Sequence, residues 1–162
     1  MRYQHLATYL NDHLAGSVLA LELMEHLERA HADAPIAGFL AELRAEVAAD
    51  QDELERLIER LDARESLPRQ AAAWFAEKIA RLKLQLDSRS SGPMGLFEGL
   101  EVLSLGIEGK HSLWRALSSI AHEAPPLQGV DYERLLRRAV EQRGQVEAER
   151  LAIAGAALLV EG

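Results

Sequence analysis

The residues able to do chemistry are few, and they fall on helical spacings. Glu108-Gly-Lys-His111 sets a carboxylate and an imidazole three residues apart, a separation at which both can turn toward one side of a helix. Asp50 sits on a stripe otherwise made of Phe39, Leu40, Leu43, Val47, Leu54 and Leu57. Arg143, Glu147 and Arg150 repeat at steps of four and three, so cations and an anion share one arc. Ser17 falls midway along the first apolar stripe. Carboxylates and an imidazole on inward faces are what a divalent cation needs; guanidinium groups among them oppose it, because arginine does not shed its charge. There is no Cys, which excludes disulfides, thiolate-ligated metals and thiol catalysis. No Gly-rich phosphate loop follows a strand, and no Ser/His/Asp nucleophile arrangement is supported.

These residues must be positioned by helices. Prolines stand only at 35, 68, 93, 125 and 126 of the 162 residues, and proline is costly inside a helix but common at its first turn. Cutting there leaves segments at about 3–32, 35–63, 68–87, 94–122 and 131–159. Each has helical periodicity, and none has the alternation of a strand. At 100° per residue the expected inward faces are Tyr3, Leu6, Leu10, Leu14, Ser17, Leu21, Met24 and Glu28 in the first; Leu96, Leu100, Leu103, Ile107, His111, Trp114 and Ser118 in the fourth; and Tyr132, Leu136, Ala139, Arg143, Val146, Glu147, Arg150, Ala154 and Ala157 in the fifth. A second apolar arc on the first segment, Tyr9, Ala20, Leu23 and Leu27, suits either the crossover segment or a dimer contact. His13, His26 and His31 read as surface or interface residues. Asp33 and Asp131 are the expected caps of the second and fifth segments. Trp74 and Phe75 are expected to pin the short third segment to the rest.

Four of the segments, at roughly 40 to 45 Å each, are long enough to lie side by side as an all-α four-helix bundle. Short connections make the first two, and the last two, antiparallel neighbours; the stretch between the pairs carries its own helix. The whole of 1–162 reads as one domain. Charged residues number 26 Asp and Glu against 18 Lys and Arg, 15 of them Arg, for a net charge of −8. That acidity disfavours nucleic acid and anionic lipid as partners. The ten-residue apolar run at 151–160 is too short to span a bilayer, which takes roughly 20 residues, and the first residues lack a signal-peptide pattern. The expectation is a cytoplasmic protein that binds neither nucleic acid nor membrane, with homo-dimerisation or another homo-oligomer open.

On this arrangement, with LNDHLAGSVLALELMEHL and DELERLIERL carrying the local likeness, the chain resembles the ferritin-like superfamily, and within it the small bacterial stress-associated members. The resemblance implies a five-helix form: a four-helix bundle with a long helical crossover between helices two and three. It also implies an iron or manganese pair held by Glu on two helices and Glu-x-x-His on the other two. The chain departs from that pattern. Ser17 stands where an inward Glu is expected, with Glu25 and Glu28 two to three turns further on; the second helix offers Asp50 without Glu-x-x-His, Glu46 only flanking the face; the last helix has no His.

The polar core is therefore expected to comprise Ser17, Asp50, His111, Arg143, Glu147 and Arg150, with Asp50 paired to Arg143 or Arg150. On this reading the layer is a salt-bridged remnant of a metal site, no metal cofactor is bound, and the protein is a non-catalytic bundle acting through self-association or a protein partner. Two alternatives stand beside it. One is an oxidoreductase or storage protein holding iron or manganese through Asp50, Glu108, His111 and Glu147. The other is a bundle that binds a small anionic ligand among Ser17, Ser104, Asp50, His111 and Arg143.

Overall fold

The computed structural model describes residues 3–61, 77, 80, 81, 84 and 92–159. Its described elements are helices: α1 (Gln4–Ala30), α2 (Ile36–Arg60), α3 (Pro93–Ile120), a 3-10 turn (Pro125–Leu127), α4 (Tyr132–Ala152) and α5 (Ala154–Leu158). Pro93 opens α3 at its first turn, behind Gly92. Asp131 caps α4 by accepting the Arg134 backbone N–H at 3.0 Å. Gly129, at φ +77°, supplies the left-handed residue that turns the chain between the 3-10 turn and α4.

Two apolar clusters give the topology. One joins Leu10 at the start of α1 to Leu57 near the end of α2, Leu117 near the end of α3 and Leu135 at the start of α4. The other joins Leu27 at the end of α1 to Leu40 at the start of α2, Leu100 at the start of α3 and Val146 late in α4. Hence α1 is antiparallel to both α2 and α3, α4 is antiparallel to α3, and α2 and α3 run the same way. Leu61 and Gly92 consequently lie at opposite ends of the helices. The four long helices close a ring in the order α1, α2, α4, α3, with α1 against α3 and α2 against α4 completing it. At Gly99 a Cβ would come within 2.7 Å of a Leu27 methyl carbon, so a side chain there would have to displace Leu27 from its place between α1 and α3.

Several expectations change. The helix expected over 131–159 breaks at Ile153, beyond which the short, small-residue helix α5 contributes no buried residue. Asp33 does not cap α2; the helix begins after Pro35 with no side-chain cap. Leu23 and Leu27 are core residues facing α2 and α3, while Ser17, Leu21 and Glu28 are only half-buried. Glu28 reaches across to Arg44 of α2 at 3.1 Å, and Glu25 is exposed beside Arg29. Ser118 is exposed, its place in the core taken by Leu117. The expected crossover helix at 68–87, with Trp74 and Phe75, lies outside the described residues except at Glu77, Ala80, Arg81 and Leu84. These four are helical, with Arg81 and Glu77 paired at 2.7 Å.

Candidate functional site: a charge-compensated polar waist

Between the two apolar clusters the long helices turn polar side chains toward one another. Asp50 of α2 is the centre and is only 3 % exposed. Its Oδ2 accepts from Lys110 Nζ of α3 at 2.5 Å and from Gln142 Nε2 of α4 at 3.3 Å. Its Oδ1 lies 3.2 Å from Arg138 Nε of α4, an ion pair without hydrogen-bond alignment. Gln142 also accepts from Lys110 through Oε1 and donates to the Glu46 carboxylate at 3.0 Å, and Arg138 donates to the Glu46 carbonyl at 2.7 Å. Three helices are thereby tied through one carboxylate. Burial pulls the Lys110 ammonium below the usual lysine range; the adjacent Asp50 charge opposes that pull and Arg138 adds to it.

These positions follow from the packing period. The buried residues of α2 run 40, 43, 47, 50, 54, 57, with Ile58 beside the last, and those of α4 run 132, 135, 139, 142, 146. Alternating steps of three and four average 3.5 residues per turn, the period of left-handed supercoiled bundles. Continued along α3 from Leu100, Leu103 and Ile107, the same steps reach Lys110, Trp114 and Leu117. Lys110 and Arg138 were thus missed by a straight-helix reading, although the heptad spacing 96, 103, 110, 117 carried the signal for Lys110.

The residues expected in the polar core separate into three places. Ser17 borders the waist, donating to Gln51 Oε1 at 3.0 Å and to the Leu14 carbonyl. His111 is half-buried, with Nδ1 3.9 Å from Glu108 Oε1, and does not reach Asp50's shell. Arg143 is exposed, not inward, and faces the exposed Glu108 at 3.6 Å. Neither Arg143 nor Arg150 pairs with Asp50 as expected. Arg150 and Glu147 form a separate α3–α4 clasp: Arg150 Nη2 meets Glu147 Oε2 at 2.7 Å, Nη1 meets Glu101 at 3.3 Å, and the guanidinium stands 5.1 Å from the Phe97 ring centre. Hydrogen bonds from Arg150, then from buried Ser104, hold the Glu147 carboxyl below its ordinary value.

The resemblance implies a metal pair at this level of the bundle. The waist presents one buried carboxylate, already met by an ammonium and a guanidinium; a divalent cation there would face two fixed positive neighbours instead of a set of anionic ligands. The donors named for the metal alternative are not gathered: Glu108 is exposed, and Glu147 is committed to Arg150. Among the described residues no group of three or more His, Asp or Glu side chains is placed to hold a metal ion. The donor set therefore does not fit the group. The anionic-ligand set is likewise dispersed, since Arg143 faces solvent and Ser104 serves Glu147.

Compared with known proteins, the chain matches no family model, no curated protein and no solved structure. No described helix is long and apolar enough to cross a membrane.

Proposed function

We propose that the protein is a ferritin-like bundle whose metal layer has been replaced by an ion-paired waist, acting without redox or hydrolytic chemistry and through self-association or a protein partner. The observation that carries the reading is Asp50: a buried carboxylate at mid-bundle, neutralised by Lys110 and Arg138. Support for the ferritin-like relation comes from helix direction. With α2 and α3 parallel, Leu61 and Gly92 lie at opposite ends of the bundle, the arrangement of helix ends that ferritin-like folds join by one long crossover. A stress-associated role follows from the same resemblance.

The test is elemental analysis of protein purified mildly from cells grown with iron and manganese. The expected metal content is far below one equivalent per chain. One or two equivalents of iron or manganese per chain, lost on replacing Asp50, would refute the reading in favour of an oxidoreductase or storage site.

A further inference from the structure

Beside the waist lies a cavity of about 110 Å³, enclosed by α1, α2 and α3. Its wall is largely apolar, with Met24, Val47, Leu103 and Ile107 among its residues, and it touches Asp50 and Lys110 on one side. His13, expected at the surface or an interface, is half-buried and lines it; burial lowers the imidazole's pKa, so it favours the neutral form. Gly16 of α1 and Gly106 of α3 also line it and are both exposed, which places the opening between these two helices. A Cβ at either glycine would meet nothing within 4 Å.

The polar groups on the wall differ in what they still offer. Gln51 is used at both ends, accepting from Ser17 and donating to Glu55, and the Ser17 hydroxyl hydrogen is already given to acceptors. Lys110 is engaged by Asp50 and Gln142. Trp114 is different. It is 1 % exposed, it lines the cavity, and its buried indole Nε1 has no hydrogen-bond partner. A buried donor left unpaired is costly, and a guest whose acceptor reaches the indole N–H, as the side chains around it shift, removes that cost.

We propose that this cavity is a binding site for a small, uncharged, mainly apolar molecule carrying one hydrogen-bond acceptor, which takes the Trp114 N–H. Size sets the upper limit: this cavity, at about 110 Å³, is smaller than the roughly 150 Å³ apolar cavity that accommodates benzene, so the guest is at most one small ring or a short branched chain. Charge sets the class. Lys110 is already balanced by Asp50, and an anionic guest would bring a second negative charge beside that carboxylate. The inference goes beyond the proposed function and does not depend on the absence of a metal.

The experiment follows the Trp114 indole N–H signal by NMR in full-length ¹⁵N-labelled protein carrying Trp74→Phe, which leaves one indole. Phenol is titrated against benzene and benzoate. The expected result is a saturable downfield shift with phenol, with a dissociation constant on the order of 1 mM, as suits about seven non-hydrogen atoms. Benzene binds more weakly and benzoate about tenfold more weakly still. Gly106→Leu, which replaces a helical glycine where space is open, weakens phenol binding at least several-fold while the melting temperature is maintained or rises. The proposal is overturned by no saturable shift with phenol, by benzoate binding as well as phenol, or by unchanged binding in Gly106→Leu.

Discussion

Replacing Asp50 with Asn tests the waist directly. The substitution keeps the shape and leaves an oxygen for Lys110 and Gln142, but removes the one charge that faces both Lys110 and Arg138. Removing one partner of a buried ion pair costs about 3–5 kcal/mol, since the other charge stays buried and unpaired. An independent ceiling comes from the lysine. If Lys110 escapes by losing its proton at pH 7, the cost for a lysine of ordinary pKa is about 3.4 pH units at 1.36 kcal/mol each, or about 4.6 kcal/mol; its pKa is already lowered by burial, so the true ceiling is below that. Arg138 is a quarter exposed and recovers part of its hydration. We therefore expect about 3 kcal/mol of destabilisation, or about 6–12 °C in melting temperature for a chain of this size. Urea unfolding followed by helix circular dichroism measures it. A pH series separates charge from packing. A lysine whose folded pKa lies below its unfolded value leaves the unfolded chain with more bound protons between the two, so stability rises with pH through that window. Without Asp50 the folded value falls further, so the variant should regain stability from pH 7 to 10 more steeply than the parent. A cost under about 0.5 kcal/mol, within the range of ordinary surface substitutions, or pH curves that stay parallel, would show that Asp50 is not the electrostatic centre of the waist.

Two further expectations concern other contacts. Gly99→Val places carbons where a Cβ already meets Leu27 at 2.7 Å, so it should cost at least about 2 kcal/mol of unfolding free energy, more than the helix propensity gained from losing glycine; equal or greater stability would disprove the close α1–α3 approach. Glu147 has a lowered folded pKa, so its contribution is present above its ordinary value near 4.5 and is lost as pH falls through the folded value. Glu147→Gln should therefore lower the urea midpoint at pH 7, and the gap to the parent should shrink between pH 5 and 3; a gap that is constant with pH would show that the Arg150–Glu147 clasp does not contribute through charge.

The elements were legible in the amino-acid sequence because their signals are local. Pro35 and Pro93 stand at helix starts, Asp131 caps α4, and the stripes from Leu40 to Leu57 and from Leu96 to Ile107 repeat at helical spacing. Asp50 stands on an apolar stripe whatever the exact helix period, so its burial could be read as well. The break at Ile153 could not, since the alanines and glycine beyond it are compatible with a continued helix.

The sequence by itself therefore determined an all-helical chain, the antiparallel pairing across the two short connections, and a buried acid without the anionic company a metal pair requires. Only the tertiary structure decided which cations answer that acid. Straight helices at 3.6 residues per turn turn His111 and Arg143 inward; helices that wrap around one another keep a 3.5-residue seam, and the drift of about 20° per heptad exchanges them for Lys110 and Gln142 and admits Arg138 at the edge. Packing of α1 against α3 likewise made core residues of Leu23 and Leu27 and left the cavity before Trp114, since a void and an unpaired indole belong to the fit between helices and not to any one helix.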